Sequence, residues 1–324
     1  ILFSLYFYYK SSGIYFLLLV FASVSDYWIA HAIYKVRTQR AKYWLVGLSV
    51  LVNLGMLGYF KYTNFLIEIA NNLFGQGFLN FQNIFLPVGI SFFVFQSMSY
   101  TIDIYRGQLK PLGNWCDYLF YLSFFPQLVA GPIVRARDFI PQIRRNPVVV
   151  TREMFGTGVF LILTGLFKKA IISDYISLNF VDRIFDEPLL YSGFECLAGI
   201  YGYALQIYCD FSGYSDIAIG MSRTLGIELP LNFRSPYKSV SITEFWRRWH
   251  ISLSSWLRDY IYIPLGGSRC GRWRTRFNLL LTMAVGGAWH GAGFTFVVWG
   301  VAHGMALVVQ KAFSPLVSRL RAPR

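Results

Sequence analysis

Apolar residues run through this chain in long blocks separated by short charged loops. About 20 apolar residues suffice to cross the hydrocarbon of a bilayer. Blocks at 14–34, 43–60, 84–105, 154–175 and 193–220 read as spans on that measure. Residues 1–9 read as the end of a further helix, so the chain is expected to be a piece of a longer membrane protein, shortened at both ends. Residues 61–83 are polar and aromatic and are expected at the interface. Residues 241–265 are amphipathic: Phe245, Trp249, Leu253, Trp256 and Tyr260 recur at helical spacing and predict one aromatic stripe on one helix. On that helix His250 would share a side with Trp246, Leu253 and Leu257. Residues 277–310 carry no Asp, Glu, Lys or Arg over 34 positions, too long for one span and short for two. Gly286, Gly287, Gly291 and Gly293 mark where that run breaks, which predicts a kink at His290. The expected architecture is an all-α polytopic membrane protein in one transmembrane domain over 1–324.

Composition agrees. Hydrophobic residues make up 55% of the chain and charged residues 14%, with a mean hydropathy of +0.43. Soluble domains carry about a quarter charged residues, so the natural solvent here is lipid. The net charge of +14 sits in short loops between apolar blocks, a positive-inside signature rather than a nucleic-acid surface. Residues 35–42 hold four basic residues and no acid; 134–152 hold five arginines against one Asp; 269–276 hold four more arginines. Residues 174–187 hold four acids and one Arg. If 115–133 crossed fully, the five-arginine loop would face outward. With Pro126 and Gly131-Pro132 in that block, a re-entrant segment is expected instead, which puts 134–152 and 269–276 inside and 174–187 outside. Non-helical backbone at such depth survives only where protein or a wet cavity covers it. The four cysteines have no metal-ligand spacing and no disulfide framework.

Three places can carry chemistry. His290 lies in "GGAWHGAG"; an ionisable group at membrane depth usually faces a polar interior. A neutral imidazole takes a proton near physiological pH, as a general base must, and burial favours the neutral form. The competing reading is a histidine hydrogen-bonded across a helix interface. His250 is either a second functional imidazole or an interfacial one among aromatics. Arg247 and Arg248 beside Trp246 suit lipid headgroups or the phosphates of a nucleotide-containing donor. In "YCDFSGYSD" Asp210 and Asp216 bracket Ser212-Gly213, predicting a helix break there, with Asp210 either an orienting carboxylate or part of a helix end. Lys168-Lys169 interrupt the span before it, and His303 in "VAHGMAL" is a weaker candidate. No phosphate loop, dinucleotide fingerprint or nucleophile elbow is present.

"SITEFWRRWHISLSSWLRDYIYIPLGG", "GGAWHGAGFTFVVWG" and "CDFSGYSDIAIG" resemble the membrane-bound O-acyltransferase family, most closely its bacterial alginate O-acetyltransferase branch. Weaker matches, "LGYFKYTNF", "LPVGISFFVFQSMSYTIDIYRG" and "FFPQLVAGPI", extend the resemblance over almost the whole chain in consistent order. It implies helices and re-entrant segments around a central tunnel. It implies transfer of an acyl group from a cytoplasmic thioester, acetyl-CoA, to an acceptor on the outer side. The family's principal catalytic histidine falls on His290, its second motif histidine on His250 and its acidic motif on Asp210 and Asp216. The expected setting is a bacterial inner membrane, and the expected partners are lipid, acyl-CoA, an exported polysaccharide and a periplasmic or extracellular acetyltransferase. D-alanyl transfer to teichoic acid or acetylation of peptidoglycan are the alternatives within the family. A transporter with a polar His/Asp pathway is the alternative of another class.

Overall fold

The structure is a computed structural model describing residues 1–145 and 147–321, with side chains as far as Phe313. Asn146, inside the five-arginine loop, and residues 322–324 lie outside the described residues. Every regular element described is helical. In chain order these are α1 (Leu2–Lys35), α2 (Gln39–Phe74), α3 (Ile90–Tyr105), α4 (Trp115–Ser123), α5 (Phe125–Leu128), α6 (Ala136–Ile143), α7 (Arg152–Asp186), α8 (Gly193–Thr224), α9 (Ile242–Arg248), α10 (Ile251–Leu257), α11 (Arg272–His290) and α12 (Phe294–Arg321). Four helical stretches are long and apolar enough to cross a membrane: α1, α2, α7 and Phe294–Phe313 of α12. The chain divides into two compact units, 1–123 with 234–324, and 124–233.

In the first unit, α3 is the element most enclosed by protein, from Phe93 through Thr101. What holds α1, α2 and α3 together is polar. Asp26 of α1 is fully buried and accepts hydrogen bonds from Ser49 (2.6 Å) and Asn53 (2.6 Å) of α2 and from Ser97 of α3. Ser49 also meets Thr101 (2.8 Å), and Ser97 meets the Tyr118 hydroxyl of α4 (2.9 Å). A carboxylate away from water must be matched by donors or it is strongly destabilising; here three donors meet it. Sequence patterning marked neither Asp26 nor its partners, because each donor is common and only the fold gathers them.

One expectation changes here. Residues 61–83 are not one interfacial stretch, since α2 continues through 61 to Phe74. In 115–133, α4 has nine residues, about 14 Å at 1.5 Å per residue and far short of the hydrocarbon thickness.

In the second unit, α8 is one continuous 32-residue helix, so the break expected at Ser212-Gly213 is absent. Its start is a capping box, with the Ser192 hydroxyl accepting from the Glu195 amide (3.3 Å) and the Glu195 carboxylate accepting from the Ser192 amide (2.8 Å). Gly213 does not bend the helix; it lets another helix come close. A Cβ at Gly213 would stand 2.8 Å from the Gly165 carbonyl oxygen of α7, and one at Gly165 would stand 2.5 Å from the Gly213 carbonyl oxygen. One heptad along, Gly158 and Gly220 are opposed in the same way, at 2.8 Å and 2.6 Å. Small residues at a regular interval are how membrane helices reach backbone contact. The charges resolve at the same seam: Lys168 pairs with Asp216 (2.6 Å), and Lys169 with Asp210 (2.6 Å) and Asp174 (2.7 Å). The lysines of α7 and the aspartates around them, Asp210 and Asp216 of α8 and Asp174 of α7, neutralise each other.

Candidate active site

The expected single aromatic helix over 241–265 is instead broken after Arg248: α9 stops there, and α10 runs on as a π-helical turn, Arg258–Tyr262. Ser241 caps α9, accepting the Glu244 amide at 3.2 Å, and Glu244 in turn accepts the Val240 amide at 3.0 Å. That amide, helped by the Arg248 guanidinium at 2.5 Å, holds the Glu244 carboxyl below its usual range. After α9 the backbone turns extended at Trp249, and His250 adopts φ 42°, ψ 54°, the left-handed region. Only Ser235 shares a positive φ among the described non-glycine residues. A histidine held there is strained, and such strain persists only where surrounding structure enforces it, typically at functional positions. The consequence is directional. His250 leaves the face it would share with Trp246 and is buried, 1% exposed.

His290 is the last residue of α11; Gly291 is extended, and α12 begins at Phe294. The uncharged 34-residue run therefore divides at the histidine. The return is tight: a Cβ at Gly287 would fall on the Phe296 carbonyl and on Gly300 of α12, and one at Gly291 on the Phe296 ring. The two imidazoles face each other with ring centroids 6.3 Å apart. Trp299 stands edge-on to His290 at 5.2 Å, and Trp289 lies 6.0 Å from the His250 ring. Behind them the aromatic groups form a wall: Trp289 stacks on Phe95 (5.5 Å), Phe95 on Trp256 (3.8 Å), and the Trp256 indole N–H donates to the Phe95 carbonyl (3.0 Å).

His290 opens onto a cavity of about 630 Å³ whose lining includes Trp246, Arg247, Gly286, Trp299 and Lys311. Its ring has no hydrogen-bond partner among the described residues, so a nitrogen is free for a ligand in that cavity. His250 does not line the cavity; it sits in the protein behind His290. A second cavity of about 500 Å³ is lined by Arg234, Arg248 and Glu244, and shares Arg247, Thr243 and Gln310 with the first. The expected donor-site residues thus divide: Trp246 and Arg247 reach the histidine cavity, while Arg248 faces the second and is paired with Glu244. Asp210 belongs to the other compact unit, where Lys169 engages its carboxylate. His303 packs among Trp246 (5.1 Å) and Trp299 (4.7 Å), an aromatic neighbour of the site.

Several residues at the site escaped the sequence reading. Arg234 and Lys311 line the cavities but sit in stretches with no motif around them. Lys61 and Tyr62 reach the last turn of α11 from α2. The available signal was Lys61 itself, a cation directly after the apolar block 43–60.

Comparison with known proteins identifies the family. The model of the membrane-bound O-acyltransferase family matches residues 112–324. The chain is 44% identical over 302 residues to a probable alginate O-acetylase AlgI of Pseudomonas aeruginosa, covering 91% of this chain and 57% of that protein. It is 39% identical over 340 residues to a peptidoglycan O-acetyltransferase of Helicobacter pylori, covering 97% of this chain and 64% of that protein. A teichoic acid D-alanyltransferase of Streptococcus thermophilus is more distant, at 29% over 295 residues, covering 86% of this chain and 67% of that protein. The chain thus spans about three fifths of the length of the more similar of these relatives. It is a multi-pass membrane protein and belongs to the membrane-bound O-acyltransferase family.

Proposed function

We propose that this protein is a membrane O-acetyltransferase that passes acetyl from cytoplasmic acetyl-CoA to an exported, alginate-like polysaccharide, with His290 as general base. The observation that carries this reading is the partnerless imidazole of His290 on the wall of a cavity of about 630 Å³, inside a family of O-acyltransferases. The chemistry follows from that placement. The His290 ring nitrogen takes the proton of an acceptor hydroxyl as its oxygen attacks the thioester carbonyl carbon. The carbon–sulfur bond then breaks, and the sulfur leaves with the proton from the imidazolium. His250, buried with its ring centroid 6.3 Å from that of His290, helps position the donor through His290 rather than by touching it. Asp210 is proposed to act within its own compact unit, as the ion-paired partner of Lys169 rather than as a free carboxylate.

The donor enters from the cytoplasmic side of a bacterial inner membrane, and a tunnel with re-entrant walls lets donor and acceptor meet. A periplasmic or extracellular partner carries acetyl onward to the sugar. The relative that acts on peptidoglycan supports a second acceptor, the glycan of the wall. Mass spectrometry of surface polymer from cells with and without the full-length gene separates them: acetyl lost from exported polysaccharide supports the first, and acetyl lost from peptidoglycan the second. Acetyl retained on both overturns the acetyltransferase reading.

Two further outcomes are expected. Neutralising Arg247 and Arg248 together to Gln removes charged donors from both cavities. Hydrogen bonds to charged groups contribute about 1.5–3 kcal/mol, so the apparent KM for acetyl-CoA rises by about ten- to a hundredfold while kcat changes less. Unchanged donor kinetics would leave these arginines as lipid anchors. The second outcome concerns topology. Val149, exposed in the five-arginine loop, is replaced by Cys in a cysteine-free background. An impermeant maleimide leaves it unlabelled on intact cells and labels it after permeabilisation. Labelling from outside would place 134–152 on the other face.

A further inference from the structure

Lys61 lies in a spanning helix, and no carboxylate pairs with it among the described residues. A lysine at such depth needs partners, and those it has are informative. Its ammonium donates to the Trp289 carbonyl and reaches the Ser91 hydroxyl at 3.4 Å. The faces of Trp289 and Tyr62 lie 5.6 Å and 5.9 Å away. The next residue does the same work: the Tyr62 hydroxyl donates to the Ala288 carbonyl at 2.6 Å. Consecutive residues of α2 therefore bind consecutive carbonyls of α11, in the turn that ends at His290.

Those carbonyls lack partners within their own helix and carry the negative end of its dipole, where a cation is favoured. Both donors stand in a widened, π-helical turn, Gly58–Tyr62. Such turns are rare, frequently mark functional sites, and here bring Lys61 and Tyr62 together onto one helix end. Mere closure of a helix end requires only a donor. A partly buried ammonium is a costly choice for that task, and its charge falls one residue from the imidazole.

We infer that Lys61 is a positioning residue for His290: by fixing the Trp289 carbonyl it sets where the final turn of α11 ends and so where the imidazole stands in the cavity. This rests on the reading of His290 as the base. A displacement of about 1 Å in a reacting group can cost about a hundredfold in rate.

The test uses the full-length protein in lipid nanodiscs, measuring kcat, the acetyl-CoA KM and Tm for Lys61→Met, Lys61→Arg, Tyr62→Phe and His290→Ala. Lys61→Met keeps the length and loses the charge. It is expected to lower kcat by about ten- to a hundredfold with KM within about twofold, and Lys61→Arg to recover most of that loss. Tyr62→Phe, which keeps the ring, is expected to lower kcat by a smaller factor with KM unchanged, and it carries the test if Lys61→Met fails to insert. A kcat near wild type in Lys61→Met, or in Tyr62→Phe where Lys61→Met does not insert, overturns the inference. So does a loss in Lys61→Met that tracks a fall in Tm and that Arg does not restore. An active His290→Ala overturns the underlying base assignment instead; an inactive His290→Ala beside a normal Lys61→Met overturns only the role of Lys61.

Discussion

His290→Ala in the full-length protein lowers acetyl transfer by about 10²–10⁴, the contribution of a positioned general base, while expression and membrane insertion persist. Insertion should survive because the residue closes a helix without hydrogen-bonding anything among the described residues, and because alanine suits an apolar segment. His250→Ala loses activity less completely, since that ring lies behind the cavity rather than on its wall. Its loss has two components: the imidazole goes, and a residue in the left-handed region is replaced by one that adopts it poorly. His250→Asn separates them, because Asn tolerates that backbone; activity lost in both variants assigns the effect to the imidazole. His303→Ala, an aromatic neighbour of the site, shows the smallest loss. Near-normal polymer acetylation by His290→Ala would make this histidine a packing residue and end the mechanism.

Much of this site was legible in the sequence, for identifiable reasons. A histidine among four glycines in an uncharged run of 34 residues has few ways to be accommodated, and the helix indeed ends on it. His250 was legible as a candidate but not in its geometry. A stripe of four aromatics and a leucine at helical spacing predicts continuity, and periodicity carries no information about one residue forced to positive φ. Ser241 and Glu244, a good cap for a helix start, give no notice that the helix stops after Arg248. Lys61 stood out in no reading of its own, falling at the start of the polar stretch 61–83 and inside the weaker match "LGYFKYTNF", because its partners include a backbone carbonyl more than two hundred residues away, and carbonyls leave no mark in a sequence. The Asp26 network is hidden for a related reason: Ser and Asn are unremarkable singly, and three helices must pack before they meet one carboxylate.

The same limit explains Gly213, and here the correction carries the larger consequence for folding. A glycine beside a serine, bracketed by aspartates, reads locally as a hinge. The structure uses it as a contact. Gly158 and Gly165 of α7 meet Gly220 and Gly213 of α8 in antiparallel order, seven residues apart on each helix, with backbone on backbone. Any side chain there forces the helices apart and also stretches the Lys168–Asp216 and Lys169–Asp210 pairs that sit beside the contact. An ion pair that loses geometry at membrane depth loses most of what offsets its desolvation. Gly213→Leu and Gly165→Leu are therefore each expected to cost about 3 kcal/mol, the upper end of overpacking, or a fall in Tm of about 6–12 °C, with poor membrane accumulation. Gly156→Leu is the control. It lies on the same helix, two residues before Gly158, and a Cβ there meets nothing within 4 Å. Leucine also favours helix over glycine by nearly 1 kcal/mol, so Gly156→Leu should match or exceed the parent in Tm. If all three variants melt together with the parent, α7 and α8 do not pack through these glycines, and the paired lysines and aspartates must hold the helices by themselves.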